Sequence, residues 1–387
     1  MSKVALLKCS VYEVDQIEQV LREGFELLGG AGFLRRLIPV GSSVLLKPNL
    51  LSVAGKGSPV ITHFAVFEAV VRIVREYSDN LSFGDSPGQE DTRTAAEKSG
   101  LMEVANRYGV QFSDFNDSVH CKLESPLMYK YWNVARGPWE ADVVITLPKL
   151  KTHAMMYYTG AVKNQFGCIP GSQKAQWHTK LPDSASFAKM LLDLNSVVKT
   201  SFAILDGIVA MEGNGPRNGT PKQMNTLIMG ESLTAVDSTA VRLIGYKDVL
   251  AVPVLKAAHN AGWGTVLPEE IEVLGRNIEE MKCRDFKLSR NAKVVNFLTP
   301  GLTSLVSTMT APDPVLVEDK CIGCRKCQEV CPEKDRVISF TRHKGKVIPR
   351  WDYSKCIRCF CCQELCPKGA IITRDKTLSR LLGLNGK

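Results

Sequence analysis

Residues 141–167, ADVVITLPKLKTHAMMYYTGAVKNQFG, combine the pattern of a buried strand with a dense group of polar, mostly cationic side chains. Val143–Leu147 is an apolar run of strand length, which predicts a strand inside a sheet. Polar residues that can donate hydrogen bonds follow it at once: Lys149, Lys151, His153, Lys163 and Asn164. A strand that ends in so many donors predicts a binding or catalytic site at its carboxyl end.

Apolar runs of strand length alternate with segments of helical periodicity over roughly the first 275 residues. Helical patterns include one that begins after Thr62 and one from about Thr234 to Ile244. This alternation implies crossover connections, so we expect an α/β fold with a largely parallel sheet covered on both faces. The other predicted strands are Val4–Leu7, Val44–Leu46, Leu81–Phe83, Phe202–Leu205, Thr226–Met229 and Ile271–Leu274.

Charged side chains directly follow four of the predicted strands: Lys47, Asp85, Lys149 and Asp206. Ligands of open α/β sheets bind beyond the carboxyl ends of parallel strands, so we expect these residues to meet at one edge. The candidate catalytic residues are His153, Lys149 and Asp206, with His153 as a general acid or base. The candidate substrate-binding residues are Lys47, Asn49, Asp85, Lys151, Lys163 and Asn164.

Each of these assignments has an alternative. The lysines are also consistent with solvated surface charges, and His153 with a hydrogen-bonded loop histidine. Asp85 and Asp206 are also consistent with turn caps, with Mg²⁺ ligands or with counter-ions for lysines. Crowded ammonium groups repel one another, so an empty site should lower the lysine pKa values or recruit these two carboxylates.

Two short segments far along the chain each contain four cysteines with the same spacing. CIGCRKCQEVCP holds Cys321, Cys324, Cys327 and Cys331, and CIRCFCCQELCP holds Cys356, Cys359, Cys362 and Cys366. Both fit C-x2-C-x2-C-x3-C-P, in which three cysteines ligate one [4Fe–4S] cluster and the fourth ligates the other. The spacing therefore predicts two clusters, one bound by the first three cysteines of the first set and Cys366, and the other by the first three cysteines of the second set and Cys331. Zinc is the alternative, because C-x2-C pairs also bind it.

The region around these cysteines resembles the bacterial two-cluster ferredoxin module over about 70 residues. The resemblance implies an α+β, βαββαβ-like domain whose central hairpin has TRHKG at its turn, residues 341–345. Two departures are visible. PEKDRVI after the first set is longer than its counterpart PKGAI, and Cys361 is an additional cysteine beside the ligands. We interpret Cys361 as a small buried neighbour, with an alternate ligand or a tuning group as the other possibilities.

Phrases in the first 280 residues together resemble the domain of unknown function 362 family, which is often joined to a ferredoxin module. They are LLKPNLL, FGDSPG, ITLPKLKTH, GAVKNQFG, LDGIVAMEGNGPRNGTP and AVDSTAVRLIGY. The resemblance implies the two-domain architecture and a probable site, but the family name states no reaction. The chain has no G-x-x-x-x-G-K-[ST] loop, no G-x-G-x-x-G after a strand and no C-x3-C-x2-C set. A nucleotide triphosphatase, a nicotinamide dehydrogenase and a radical S-adenosylmethionine enzyme are therefore unsupported.

The chain has 387 residues and a formal net charge of +9, and its charge is unevenly distributed. From Asp313 onward there are 16 Lys and Arg against 9 Asp and Glu, and two bound clusters would reduce this surplus to about +3. No recognition-helix motif accompanies the basic tail, so we expect no nucleic-acid partner. No apolar run reaches 18 residues, and no secretory signal is recognisable, so we expect a cytoplasmic protein without a membrane span.

We expect an α/β domain over residues 1–290, a linker over 291–312, a ferredoxin-type domain over 313–377 and a tail over 378–387. The leading hypothesis is a reductase or other oxidoreductase that relays single electrons through two [4Fe–4S] clusters to a small phosphorylated or carboxylated substrate. Its expected partner is an acidic electron donor such as a ferredoxin or flavodoxin. Mg²⁺ or a flavin is possible, but no motif supports either. The alternatives are a non-enzymatic electron-transfer subunit or cluster-dependent assembly factor, and a non-redox enzyme with structural clusters.

Overall fold

The computed structural model describes residues 1–88, 90–181, 183–289, 312–333, 336–343 and 345–374. Both expected domains fall largely within these ranges. The expected linker over 291–312, apart from residue 312, and the expected tail over 378–387 lie outside the described residues.

The larger domain is organised around a ten-stranded sheet. The eight strands of its main path are arranged in the order β12-β1-β11-β10-β7-β2-β3-β4, while β8 pairs with β10 and with β9. Strands β5 and β6 form a separate antiparallel hairpin. The strands are β1 (Ser2–Lys8), β2 (Val44–Pro48), β3 (Leu81–Phe83), β4 (Gln111–Phe112), β5 (Ser118–Lys122), β6 (Tyr131–Ala135), β7 (Val143–Leu147), β8 (Lys149–His153), β9 (Tyr157–Thr159), β10 (Phe202–Glu212), β11 (Thr220–Gly230) and β12 (Ile271–Gly275).

Most neighbouring strands in the main path run parallel, as β2 does to both β7 and β3. Strand β11 is the exception, because it runs antiparallel to both β1 and β10. The prediction of an α/β fold with a largely parallel sheet is therefore confirmed. The parallel strands bring the ends of β2, β3 and β7 to the same edge.

Helices cover both faces of this sheet. Apolar residues of α1 to α5 pack with one face, whereas α7, α9, α10 and α11 contribute to the core on the other. In α1, for example, the buried residues Ile17, Leu21 and Phe25 recur at helical spacing and form the apolar stripe. The helices are α1 (Val14–Leu28), α2 (Gly30–Leu37), α3 (Phe64–Val74), α4 (Thr92–Ser99), α5 (Leu101–Tyr108), α6 (Arg136–Glu140), α7 (Ala161–Asn164), α8 (Gly171–Lys180), α9 (Ser184–Val198), α10 (Leu233–Leu243), α11 (Pro253–Asn260) and α12 (Ile278–Met281).

Three local predictions differ from the structure near the sheet edge. Strand β10 continues past Leu205, because its second half pairs with β11 on one side and with β8 on the other. Asp206 therefore lies inside a strand, and Lys149 begins a strand rather than a loop. Helix α3 is capped by His63, whose Nδ1 accepts a hydrogen bond from Ala65 N, and not by Thr62.

The smaller domain has the element order strand, helix, strand, strand, helix, strand. Strand β13 pairs with β16, and β14 pairs with β15 in the expected central hairpin; both pairs are antiparallel. The expectation of a C-terminal α+β ferredoxin-like domain is therefore confirmed. Within the described ranges, no helix is both long and apolar enough to cross a membrane. The elements are β13 (Asp313–Leu316), α13 (Lys326–Glu329), β14 (Ile338–His343), β15 (Lys346–Trp351), α14 (Cys361–Glu364) and β16 (Ile371–Arg374).

Candidate functional site

A cavity of about 90 Å³ lies where the two domains meet. The α/β domain contributes polar residues to its wall, and the smaller domain contributes Cys361, Glu364 and Leu365 from α14 and the residue after it. Three lysines of the α/β domain also line it: Lys151, Lys163 and Lys174. The cavity therefore places cationic side chains directly beside the second cysteine set.

Lys151 is almost completely buried, and its ammonium group has only neutral hydrogen-bond acceptors among the described residues. Nζ donates to Asn49 Oδ1 at 2.9 Å and to the carbonyl oxygen of Val60 at 2.7 Å. Burial and the positive charges of Lys163 and Lys149 hold the pKa of Lys151 well below its ordinary value. A buried ammonium without a counter-ion is costly, and an anion in the cavity would reduce that cost.

Lys163 is partly exposed, and the cavity that it lines adjoins Glu364. Its Nζ lies 5.7 Å from the centre of the Phe166 ring, within the range of a cation–π contact. Burial lowers the pKa of Lys163, and the nearby Glu364 carboxylate and Cys361 thiol oppose that shift. Lys163 forms no ion pair with a described carboxylate, so its ammonium is available to an anionic ligand.

Helix α8 brings two further groups to the cavity, Lys174 and His178, which lie four residues apart and share one face. Lys174 Nζ donates to the carbonyl oxygens of Ser86 and Pro87, and burial lowers the pKa of Lys174 to about 7. The His178 ring stacks on Phe187 with 4.8 Å between ring centres. Its Nδ1 has no hydrogen-bond partner among the described residues, and burial lowers the pKa of His178 to about 4. A ligand in the cavity would meet one cation and one neutral acceptor on this face.

Lys47 and Asp85 form a buried ion pair at the cavity wall, with Asp85 lining the cavity and Lys47 behind it. Lys47 Nζ lies 2.7 Å from Asp85 Oδ1, and Asp85 Oδ2 accepts a hydrogen bond from Leu50 N at 2.6 Å. Gly167 passes so close that an added Cβ would lie 1.8 Å from Asp85 Oδ1 and 2.6 Å from Lys47 Nζ. Only glycine fits there, which explains the last residue of the segment KNQFG.

Lys149 and Asp206 form a second buried ion pair, on the Tyr12 side of the sheet edge. Lys149 Nζ donates to Asp206 Oδ2 and to the Tyr12 hydroxyl, both at 2.7 Å, and that hydroxyl donates to Asp206 Oδ1 at 2.9 Å. The Tyr12 ring stacks on His63 with 3.6 Å between ring centres. Burial lowers the pKa of Lys149 while Asp206 opposes the shift, and burial raises the pKa of Tyr12. The side chains of Lys149, Asp206 and Tyr12 are therefore hydrogen-bonded to one another.

Two asparagines connect Lys151 to the end of the central strands. Asn49 Oδ1 accepts from Lys151, and Asn49 Nδ2 donates to Asn164 Oδ1 at 3.1 Å. Asn164 Nδ2 donates to Thr146 Oγ1 at 2.8 Å. The helix that carries Asn164 is fixed by Asp237, which accepts hydrogen bonds from the first two backbone amides of α7. These contacts fix the position of the cationic wall.

His153 lies beside the cavity and contacts the smaller domain. Its Nδ1 accepts from the backbone amides of Met155 and Met156, so the proton of the neutral ring is on Nε2. Nε2 lies 2.9 Å from Glu364 Oε1, although the two groups are not aligned as a hydrogen bond. Burial lowers the pKa of His153. Burial alone would raise the pKa of Glu364, but His153, Lys163 and His178 together hold it at about 2, so the carboxylate is ionised.

The loop that follows β10 holds helix α14 in place. Gln363 Nε2 donates to the Asn214 carbonyl and side-chain oxygens at 3.1 and 3.0 Å, and Asn218 Nδ2 donates to the Gln363 carbonyl at 2.8 Å. The segment GNGPRNG, residues 213–219, therefore fixes the second cysteine set against the α/β domain.

The eight cysteines are arranged around two small enclosed spaces in the smaller domain. Cys321, Cys324, Cys327 and Cys366 line one space, and Cys331, Cys356, Cys359 and Cys362 line the other. Each space receives three cysteines from one set and one from the other. Four thiols around one space form the donor set that a [4Fe–4S] cluster requires. Cys361 lines neither space and instead lies on the wall of the interdomain cavity.

Five of the nine candidate catalytic and substrate-binding residues line the cavity: Asn49, Asp85, Lys151, Lys163 and Asn164. The candidate lysines do not all line the cavity, and Lys47 and Lys149 are each neutralised by a buried carboxylate. Lys149, Asp206 and His153, predicted as catalytic, do not line the cavity. The lining residues that were not among the candidates include Lys174, His178, Cys361 and Glu364. The four-residue spacing of Lys174 and His178 was a signal in the sequence, whereas the position of Glu364 depends on how the domains dock.

Residues 44–242 match the family described as Domain of unknown function (DUF362), and residues 313–367 match a 4Fe-4S dicluster domain. A thylakoid-associated protein of Synechocystis sp. is 33% identical over 263 residues, which cover 68% of this chain and 80% of that protein.

Two solved structures show partial similarity. The lactate racemase apoprotein from Thermoanaerobacterium thermosaccharolyticum is 13% identical, with a TM-score of 0.39 over 60% of this chain and 54% of that chain. A Thermotoga maritima protein is 14% identical, with a TM-score of 0.34 over 53% of this chain and 52% of that chain. This chain thus spans about half the length of each structure. The family matches, together with the relative, show that the chain belongs to the DUF362 family and carries a C-terminal 4Fe–4S dicluster domain.

Proposed function

We propose that the protein is an iron–sulfur oxidoreductase that binds a small anionic substrate in the cavity between its domains. The observation that carries this proposal is the composition of the cavity wall. Lys151, Lys163 and Lys174, none in an ion pair with a described carboxylate, face α14 residues that neighbour the second set of cysteines. A bound anion would therefore lie beside a redox centre.

We assign the cluster ligands from the two cysteine-lined spaces, one cluster to each space. Cys321, Cys324, Cys327 and Cys366 would hold one [4Fe–4S] cluster, and Cys331, Cys356, Cys359 and Cys362 the other. Such clusters supply or accept electrons one at a time. The chain's own contribution is to hold α14 against the α/β domain through Gln363 and Glu364, which fixes the distance between the cysteines and the anion.

The size and polarity of the cavity define the substrate class. A cavity of about 90 Å³ is smaller than the roughly 150 Å³ that accommodates benzene. It suits a small carboxylate or an oxoanion, not a flavin ring. The carboxylates suggested as Mg²⁺ ligands, Asp85 and Asp206, are each bonded to a lysine, so a Mg²⁺ site is not part of the proposal.

Within this proposal the residues have distinct roles. Lys151, Lys163 and Lys174 bind the anion, and Asn49 and Asn164 orient Lys151. The two buried ion pairs, Lys47 with Asp85 and Lys149 with Asp206, hold the strand ends in place. His153 is a positioning residue, because its Nε2 lies 2.9 Å from Glu364 Oε1 and the residue does not line the cavity.

The proposed partner is an acidic one-electron carrier such as a ferredoxin or flavodoxin. A basic ferredoxin-like domain attracts an acidic protein electrostatically, which speeds association and makes it sensitive to salt. We propose a cytoplasmic location; the Synechocystis relative is named as thylakoid-associated, so association with a membrane is the alternative to test. A purely electron-transferring subunit would have no need for the cationic cavity.

The test is a thermal-shift screen of small carboxylates and oxoanions, carried out without oxygen. Any ligand that stabilises wild type should stabilise Lys151→Met and Lys163→Met much less. A charge-assisted hydrogen bond contributes roughly 1.5–3 kcal/mol, so each change should weaken binding by about 10- to 150-fold. The matched control is Lys98→Met, which removes an exposed lysine of α4. If no anion distinguishes the cavity variants from this control, the proposal is wrong.

A further inference from the structure

The first cysteine set is more exposed than the second. Cys324 is exposed, while Cys359 and Cys362 are buried. Ile322, between two of the proposed ligands, leaves 61% of its surface exposed, an unusual position for a large aliphatic side chain. The two proposed clusters are therefore unequal, and the first is closer to the protein surface.

Several exposed basic side chains lie near Ile322 along the chain or line the same space as it does. Residues Lys320, Arg325 and Lys368 are exposed beside the first cysteine set. The central hairpin adds Arg342 and Lys346, because its strands pack against the first cysteine loop: the Arg325 guanidinium lies 5.1 Å from the centre of the Phe340 ring. We call this surface the basic face, and its members are Lys320, Ile322, Arg325, Arg342, Lys346 and Lys368.

Few acidic groups oppose the basic face. Glu318 lies 3.5 Å from His343 and 4.0 Å from Arg350, so its charge is shared with two basic groups. Glu329 is bonded to Lys326 at 2.8 Å. Asp319 is the remaining exposed carboxylate in the first cysteine loop. Among the described residues, no carboxylate forms an ion pair with any of the five basic members of the face.

We propose that the basic face docks an acidic one-electron carrier protein, with Ile322 at the centre of the contact. An exposed apolar residue within a polar, charged rim has the anatomy of a protein interface. Complexes of redox proteins are small and transient, so a single apolar anchor with five cations around it is sufficient. The inference rests on the proposed redox function and adds the surface through which electrons are exchanged with the partner.

The basic face and the cavity are associated with different cysteine sets. The first cysteine set lies at the basic face, and the second set lies beside the cavity wall through Cys361 and Glu364. The carrier and the substrate would therefore approach different cysteine sets.

The test measures the affinity of the oxidised holoprotein for an acidic plant-type ferredoxin and a flavodoxin by calorimetry. The variants are Lys320→Glu/Lys368→Glu and Arg342→Glu/Lys346→Glu. The matched control is Lys98→Glu/Lys256→Glu, which makes the same charge change at exposed positions of α4 and α11. Each face variant should weaken carrier binding at low salt by at least about tenfold, with a shallower salt dependence. The control should stay within about twofold of wild type.

Iron content and reduction by photoreduced deazaflavin should be equal in all variants, which shows that the clusters are intact. If the face variants and the control variant bound the carrier equally well, the proposed docking surface would be wrong, but the cavity proposal would be unaffected. If the wild-type protein bound vesicles of anionic lipid but neither carrier, the docking proposal would also be wrong, because the basic face would then bind a membrane surface. Failure of the anion screen with normal carrier binding would instead overturn only the substrate assignment.

Discussion

His153 Nε2 of the α/β domain lies 2.9 Å from Glu364 Oε1 of the ferredoxin-like domain. The two side chains come from segments more than 200 residues apart, and Glu364 lies between two proposed cluster ligands. Since His153 Nδ1 already accepts two backbone hydrogen bonds, the proton of the neutral ring is on Nε2, the nitrogen near the carboxylate, although the two groups are not aligned as a hydrogen bond. The contact shows that the segment 141–167 brings at least one of its polar residues to the interface between the domains.

The buried pair of Lys149 and Asp206 should be essential for stability. Replacing Lys149 with Met leaves the Asp206 carboxylate buried without its cation, and such a loss costs about 3–5 kcal/mol. The expected result is a decrease of that size in the free energy of unfolding, measured by urea denaturation without oxygen. Lys149→Met/Asp206→Leu should recover part of the loss. A decrease below about 1 kcal/mol in the single variant would place Lys149 among ordinary surface lysines.

Gly167→Ala should disturb both the fold and the anion site. The added methyl group would overlap Asp85 Oδ1 and crowd Lys47 Nζ, so the buried pair behind the cavity must move apart. We expect a loss of more than about 2 kcal/mol in the free energy of unfolding and weaker binding of any anion found in the screen. Gly32→Ala is the matched control, because nothing lies within 4 Å of the Cβ position there. Equal behaviour of the two variants would contradict the packing described for Gly167.

Anion affinity should fall as the pH rises through about 7. Lys174 has a pKa of about 7 because it is buried, so its ammonium is charged below that pH and neutral above it. The charged and titratable groups that face it are Asp85, Lys47, Cys168 and Lys163. Calorimetric titration between about pH 6 and about pH 9 should show the decrease. Lys174→Met should bind more weakly with a flatter pH profile; an unchanged profile would exclude Lys174 from the site.

Stability without ligand should show the opposite dependence on pH. The folded-state pKa of Lys174, about 7, lies below its ordinary value of 10.5, so the unfolded chain binds more protons between these values. Stability contributed by this group therefore rises with pH across that window and is lost as the pH falls through it. The free energy of unfolding, measured by urea denaturation across this pH window, should rise more steeply in wild type than in Lys174→Met. An equal rise in the two proteins would contradict the burial of Lys174.

The iron and sulfide content of wild type and of cysteine variants should show that two clusters are bound and that each takes ligands from both cysteine sets. Protein purified without oxygen should hold about eight iron and eight acid-labile sulfide per chain. Cys366→Ala should damage the cluster of the first set, although Cys366 belongs to the second, because it lines the same space as Cys321 and Cys324. Cys361→Ser is the control and should retain all the iron. Zinc in place of iron, or damage confined to the second cluster, would refute the assignment.

Local sequence patterns were sufficient for seven of the ten strands of the sheet, but not for β4, β8 and β9, and for five of the cavity residues. The apolar run Val143–Leu147 and the donors after it are adjacent along the chain, so one strand fixes their place. Asp85 and Asp206 were correctly considered as counter-ions, because crowded lysines require them. The extension of β10 was missed because DGIVAMEGNGP has the composition of a loop, and only pairing with β8 and β11 keeps it extended.

The rest of the site depends on contacts between distant parts of the chain. No periodicity can indicate that α14 packs on the loop at residues 213–219, so Glu364 and Cys361 were assigned to the ferredoxin-like domain alone. The separation of Lys149 from Lys151 was missed for a similar reason. Both lie on one face of a strand, but Tyr12, far away in sequence, binds the first and leaves the second to the cavity.

The central claim is that an anion in the interdomain cavity lies beside one of two clusters, and a redox titration followed by electron paramagnetic resonance tests it most directly. Holoprotein is titrated with and without a saturating concentration of the anion found in the screen. A negative charge beside a redox centre disfavours its reduction, so the midpoint potential of one cluster should fall while that of the other stays constant. By linkage, reduction of that cluster should weaken the binding of the anion. Lys163→Met, which binds the anion poorly, should show no such shift at the same concentration. If both potentials move equally, or neither moves while the anion is bound, the anion does not occupy the cavity beside the second cysteine set.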